Sequence, residues 1–341
     1  MRETPASLGY RMPAEWERHD ATWLSWPKDP DTFPANILPR VEAAYVKMVE
    51  ALSHGEEVRI LVDDLKTEEK VGRMLNKAEK VSFHRLKTAD VWVRDYCPIY
   101  VRGRDVALVK WVFNAWGGKY DDLRPDDLAG QRIAEETGLR VFRPGVVLEG
   151  GSVDSNGGGS ILTTEQCLLN PNRNPALNKK EIESLLGDYL GGRNVVWLRR
   201  GIEGDDTDGH VDDIARFVGP RRVLLASEPS STDPNHAALA EDSQLLESAT
   251  DEKGRRLEVE EVPMPGEVRA PDGRLPASHL NFYIGNGCVL VPTFGGDSDR
   301  DALRCIGEAF PTREVVGVDC RALVYGLGTI HCVTQQASAL G

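Results

Sequence analysis

Four times along this chain, two β-rich runs flank a glycine-bearing turn, and an amphipathic helix and a further strand follow. Apolar alternation on both sides of a Gly turn specifies a hairpin, and a 3.6-residue apolar period specifies a helix. The first unit runs 98–101, the Arg102-Gly103 turn, 106–113, a helix at 126–137 and a strand at 140–142. The second comprises 152–154, Asn156-Gly157-Gly158-Gly159, 160–164, a helix at 179–190 and a strand at 194–198. The third has 214–218, Gly219-Pro220, 223–226, a helix at 235–249 and a strand at 257–262. The fourth has 280–284, Asn286-Gly287, 289–291, a helix at 300–310 and a strand at 314–318. Asn-Gly between apolar runs is the strongest short hairpin signal.

The chain ends supply a fifth unit. A strand at 21–26, a helix at 37–52 and a strand at 58–62 open the chain, and a terminal strand at 329–334 lacks local partners. Joined, they repeat the same order. Strands from both termini then close a ring of five ββαβ units, which leaves no open sheet edge at the ends. The expected fold is a single radial α/β domain over residues 1–341, with residues 2–10 as surface disorder.

Charge narrows the partners. Lys plus Arg number 41 against 54 Asp plus Glu, a net charge of −13. Such a surface repels phosphate backbones, so nucleic acid is excluded and a small cationic molecule suits it better. No apolar run approaches the roughly 18 residues a membrane helix needs, and the first residues lead into no apolar signal core. Six scattered cysteines form no Cys-x-x-Cys pair, which predicts a cytoplasmic protein with reduced thiols. The sequence leaves the oligomeric state open, a homo-oligomer included.

Polar residues of catalytic type recur at the mouth of each unit. They are Trp92-Val93-Arg94-Asp95, Glu149-Gly150-Gly151, Asp208-Gly209-His210-Val211-Asp212-Asp213, Ser278-His279 and His331-Cys332. Taken singly, Cys332 reads as a small core residue, His210 as a structural histidine and Asp95 as half of an ion pair with Arg94. In a ring, however, equivalent positions converge on one axis, and the same residues become one candidate site. A Cys nucleophile with a His acid–base is then in reach of several carboxylates. Those carboxylates would repel a tetrahedral oxyanion, so peptide or amide hydrolysis fits poorly. They suit a guanidinium, which donates bidentate hydrogen bonds and starts out positive, so attack on it yields a neutral adduct.

At these positions the chain resembles the agmatine deiminase family, which includes the bacterial-type peptidylarginine deiminases. The matching blocks include Met12-Pro13-Ala14-Glu15-Trp16-Glu17, Trp92-Val93-Arg94-Asp95 and Phe113-Asn114-Ala115-Trp116-Gly117-Gly118. They continue with Leu148-Glu149-Gly150-Gly151-Ser152, Asn170-Pro171-Asn172-Arg173-Asn174, Thr207-Asp208-Gly209-His210-Val211-Asp212, Asn281-Phe282-Tyr283 and Ile330-His331-Cys332-Val333-Thr334.

The resemblance implies the five-bladed α/β-propeller of the guanidino-group-modifying superfamily, with the closing strands taken from both termini. It implies that Cys332 forms a covalent amidino-thioether, that His210 protonates departing ammonia and then activates water, and that Asp95 and Asp212 grip the guanidinium. Glu149 would orient His210 and bind substrate. Trp92 and Trp116 would wall the pocket, unless they are core aromatics. No cofactor or metal belongs to this chemistry. The implied substrate is agmatine, with peptidyl or free arginine as the alternative. Two departures from the family pattern stand out: Cys97 close after Asp95, and Leu327 between Gly326 and Gly328. A metal centre built on His210, Asp212 and His279 or His331 is the rival chemistry, although His-x-Asp on a strand lacks a recognised metal spacing.

Overall fold

The computed structural model describes residues 3–271 and 273–339. Five mixed sheets carry the fold, and each repeats one local rule. Ile99–Arg102 pairs antiparallel with Val106–Val109, which pairs parallel with Arg140–Phe142 after the helix Asp126–Glu136. Asp154–Ser155, Ser160–Thr164 and Asn194–Leu198 repeat that order around the helix Lys179–Leu190. So do Ala215–Phe217, Arg222–Ser227 and Glu258–Pro263 around Asn235–Ser248. The last such set is Tyr283–Ile284, Cys288–Thr293 and Glu314–Asp319 around Ser298–Ala309.

The two chain ends share the remaining large sheet. Gln335–Ser338 pairs antiparallel with His19–Ser25, which pairs parallel with Glu57–Val62 beyond the helix Leu38–Ser53. A helix Leu65–Met74 and a fourth strand Val81–Arg85 extend this sheet. That extension is absent from the sequence reading, although Val81-Ser82-Phe83-His84 alternates; the strand lies at the edge of the sheet and is only partly buried. Strands 106–109, 160–164 and 288–293 are almost entirely buried, as expected for the middle strand of a sheet covered on both faces.

Three expectations need correcting. Residues 329–334 form a turn, not the terminal strand. Val333 N bonds Thr329 O at 3.3 Å, Thr334 N bonds His331 O at 3.1 Å, and Thr334 Oγ1 donates to Ile330 O at 2.9 Å. With its backbone groups spent locally, this segment cannot join a ladder, and the strand starts at Gln335. Likewise the strand expected at 152–154 begins only at Asp154, because 150–152 is a 3₁₀ turn in which Ser152 Oγ and N both donate to Glu149 O. Finally, residues 3–10 are ordered. Ala6–Leu8 is a 3₁₀ turn, and Tyr10 is buried edge-on against Phe142 with its hydroxyl donating to Asp105. Met1 and Arg2 lie outside the described residues.

Candidate active site

One residue of catalytic type stands in the turn that leads into the first strand of each hairpin. Asp95 lies in the helical turn Val93–Tyr96 before strand 99–102, and Glu149 begins the 3₁₀ turn before 154–155. His210 begins the turn Val211–Asp213 before 215–217, and Cys332 lies in the turn before 335–338. The fourth position belongs to Asn281, two residues before strand 283–284, and not to Ser278 or His279. Ser278 Oγ donates to Asp213 O, and His279 Nδ1 lies 2.9 Å from Pro292 O.

These turns meet. Arg94 N donates to Cys332 O at 3.2 Å, and Gly151 N donates to Asp95 Oδ1 at 3.0 Å. The close approach depends on two glycines. A Cβ on Gly150 would stand 2.2 Å from Arg94 O, and one on Gly151 would stand 2.6 Å from His210 Nδ1 and 3.0 Å from Asp212 Oδ2. Asp95, Glu149, His210, Asp212 and Cys332 are all buried. His210 Nδ1 is 3.8 Å from Asp95 Oδ1, and Cys332 Sγ is 4.0 Å from Asp212 Oδ2.

Several of these polar atoms have no partner: both His210 ring nitrogens, Glu149 Oε2 and Asp212 Oδ1. Buried groups are normally satisfied, so polar atoms left free together in one place are available to hold a polar ligand. The opposite oxygens are anchored. Asp212 Oδ2 accepts from His331 Nδ1 at 2.6 Å, Glu149 Oε1 accepts from Arg173 Nε at 2.9 Å, and Asp95 Oδ2 accepts from Trp116 Nε1 at 2.9 Å.

A cavity of about 260 Å³ opens beside Cys332. Trp92, Trp116, Leu327 and Gly328 form part of its wall, and Asp29, Asp31, Asp90, Asp95, Asp122 and Asp206 contribute carboxylates. None of its described lining residues is Lys, Arg or His. Trp92 Nε1 donates to Asp90 Oδ2 at 2.8 Å, which fixes the indole plane. Trp116 holds φ 51° and ψ 51°, a left-handed conformation that is costly for a bulky residue. Asn114 Oδ1 accepting from Gly117 N and the indole bond to Asp95 hold it there. Leu327 likewise has φ 69°. Cys97 is buried in the apolar core and is not part of the cavity wall.

Electrostatics follow from burial and proximity. Burial, with Asp212 and Glu149 nearby, pushes Asp95 up to about 6 against the opposing pull of His210. Burial opposes the charged form of His210, yet Asp95, Cys167 and Asp212 hold it well above the usual histidine range. Burial, then Asp212, Asp213 and Asp95, push the Cys332 thiol well up.

Sequence reasoning missed the support that five residues give. Asn281 Nδ2 lies 3.2 Å from Cys332 Sγ, while its Oδ1 accepts from Thr329 Oγ1 and His331 N. Glu15 Oε2 lies 2.7 Å from His331 Nε2. Arg94 and Arg216 flank Glu15, and despite its burial they and His331 hold its carboxyl well below the usual range. Arg173 ties Glu149 to Thr207 O and Asp208. All lie within the blocks quoted above or beside them, but a side chain's partner is not written in the sequence. The rival metal set does not assemble. His279 is elsewhere, and both ring nitrogens of His331 face carboxylates.

Residues 11–337 match the family model for Porphyromonas-type peptidyl-arginine deiminase. The agmatine deiminase of Stutzerimonas stutzeri is 38% identical over 364 residues, covering 99% of this chain and 98% of that one. The structure of an agmatine deiminase of Enterococcus faecalis superposes with a TM-score of 0.91 at 35% identity, covering 99% of this chain and 98% of that one. A Cys→Ser variant of the C. Jejuni agmatine deiminase with substrate bound gives a TM-score of 0.87 at 26% identity, with 97% of each chain covered. The class is thus that of the deiminases, hydrolases that cleave a carbon–nitrogen bond of a guanidino group. Within it, the chain belongs to the Porphyromonas-type peptidyl-arginine deiminase family.

Proposed function

We propose that this deiminase hydrolyses agmatine to N-carbamoylputrescine and ammonia. The observation that carries this reading is the cavity wall, which offers six carboxylates and no basic side chain among its described residues. Agmatine has two cationic ends and suits such a wall. The carboxylate of free arginine would meet only like charge, at a cost of several kcal/mol when desolvated. Parallel ammonia-release assays with agmatine, free arginine and N-blocked, C-amidated arginine test it, and a preference for either arginine form would overturn it.

The mechanism follows from the site. Asp95 and Asp212 accept hydrogen bonds from the guanidinium, and its positive charge favours loss of the Cys332 thiol proton to solvent, which burial otherwise opposes. Asn281 donates to the sulfur. The sulfur adds to the guanidinium carbon, and protonated His210 gives its proton to the departing nitrogen, which leaves as ammonia. Neutral His210 then takes a proton from water as the hydroxide adds to the amidino-thioether. Collapse of that adduct expels the thiolate, the hydroxyl proton passes to the released ammonia or solvent, and the neutral urea product leaves. Glu149, held by Arg173, keeps a carboxylate oxygen within 4.8 Å of a His210 ring nitrogen, near enough to orient the ring as substrate binds.

Three outcomes are expected. With Asp95 near 6, kcat/KM should fall about tenfold per pH unit below that value, because the neutral acid no longer accepts both guanidinium bonds. A pH profile of wild type checks this, and Asp95→Asn should lose that limb. Asn281→Ala removes a hydrogen bond to a charged sulfur, of about 1.5–3 kcal/mol, and should lower kcat roughly 10–100-fold. Gly151→Ala forces His210 and Asp212 apart and should lower turnover about 100-fold. Thermal unfolding would separate its stability cost, about 1–3 kcal/mol, from the kinetic one.

We also infer that the five sheets are blades of one propeller, forming a single domain over 1–341. The pairing of Gln335–Ser338 with His19–Ser25 and the meeting of the five turns support this. A cytoplasmic setting is supported by six unpaired cysteines. No helix among the described residues is long and apolar enough to cross a membrane.

A further inference from the structure

Cys167 has no part in the chemistry above, yet it stands against two residues that do. One ligand-type atom each from Glu149, Cys167 and His210 lies within 4.8 Å of the other two. The three side chains are 0%, 0% and 1% exposed. Glu149 Oε2 makes no hydrogen bond, and the His210 ring has only a 3.8 Å approach of Nδ1 to Asp95 Oδ1 and its contact with the Cys167 thiol, so both side chains have donor atoms to spare for a ligand. Cys167 is held in the short helical turn Glu165–Leu168, where Thr164 Oγ1 accepts from its backbone N–H at 3.2 Å.

We propose that Glu149, Cys167 and His210 form an inhibitory site for a borderline divalent cation of the Zn²⁺ type. One carboxylate oxygen, one thiolate and one imidazole nitrogen are a zinc donor set with a fourth position left for water, whereas Mg²⁺ and Ca²⁺ require all-oxygen shells. Zinc–ligand bonds of about 2.0–2.3 Å place tetrahedral ligands roughly 3.3–3.8 Å apart, so the three atoms close by at most about 1.5 Å, within reach of side-chain rotation. Glu149 Oε1 keeps its bond to Arg173, and Oε2 is the ligand. Arg173 is itself balanced by Glu149 and Asp208 and does not repel the ion as a free cation would.

Binding is a substitution without redox change. The metal replaces the thiol proton of Cys167 and the second ring proton of His210, and both protons pass to solvent. The inhibitory consequence rests on the proposed deiminase chemistry, because the ion removes His210 from proton transfer and Glu149 from its orienting role. The metal binding itself does not depend on that chemistry.

The test is a Co²⁺ titration of Cys332→Ser, which removes the competing active-site thiol. A thiolate-to-cobalt absorption band in the near ultraviolet is expected, abolished in Cys167→Ala/Cys332→Ser and at least tenfold weaker in affinity in His210→Asn/Cys332→Ser. X-ray absorption of Zn²⁺-loaded Cys332→Ser should give one sulfur neighbour at about 2.3 Å, and needs no change at Cys167. A band present in wild type but absent from Cys332→Ser would move the ion to Cys332 and overturn the site, as would a band that survives loss of Cys167 or a sulfur-free zinc shell. In wild type, micromolar Zn²⁺ should halt ammonia release and a chelator should restore it. The cobalt band without such inhibition would overturn the inhibitory role. No ammonia release before any metal is added would instead count against the deiminase reading, leaving the spectroscopic result to stand on its own.

Discussion

Cys332→Ser should reduce ammonia release from agmatine by about 10⁴-fold or more while leaving thermal unfolding close to wild type. The sulfur is the atom that must bond to the guanidinium carbon, and an alcohol at that place ionises far less readily in a site crowded by Asp212, Asp213 and Asp95. The stability expectation follows from packing. Ser is nearly isosteric, and Asn281 already places an N–H donor 3.2 Å from the sulfur position. Steady-state assay with differential scanning calorimetry separates the two effects. Residual turnover within tenfold of wild type would remove Cys332 from the proposed mechanism.

The second large effect is expected at His210. His210→Asn should lower kcat for agmatine by roughly 10²–10⁴, the usual contribution of a placed acid–base group, with little change in KM because Asp95 and Asp212 remain. An S-methyl isothiourea analogue of agmatine isolates the role. Its methanethiolate departs without protonation, so the variant should still release one equivalent of thiol. Hydrolysis needs a base, so the amidino-thioether should accumulate on Cys332 and be seen in the intact-protein mass. Failure to release that single equivalent would mean that His210 serves the sulfur attack or the fold, and not the leaving group. His210 is held well above its usual range by Asp95, Cys167 and Asp212, which suits the acid role.

Both variants probe residues that sequence reading already brought together, and the reason is the repeat. Turn chemistry and apolar periodicity act over a few residues, so the helices Lys179–Leu190 and Asp126–Glu136 and the strands Asn194–Leu198 and Arg140–Phe142 are legible within a residue or so. Once the units are recognised, equivalent positions must occupy equivalent places, and Asp95, Glu149, His210 and Cys332 follow. The same rule failed at the fourth unit. There His279, the more reactive type, drew the choice away from Asn281. His279 instead turns its Nδ1 to Pro292 O, a contact no local pattern records.

Segment 329–334 fails for a related reason: its β-branched residues favour a strand. The hydroxyl of Thr334 and a run of local bonds turn it back, which places Cys332 in a turn and begins the strand three residues later. The sequence by itself therefore determines the repeated order of strand, turn, strand, helix and strand, the acid-rich character of the surface and the kinds of residue available for chemistry. Tertiary structure decides which of those residues meet. Glu15 reaches His331 across 316 positions, and Arg94 reaches its carbonyl across 237. Such contacts depend on how whole sheets pack, down to the missing Cβ of Gly151, and no local propensity carries that information.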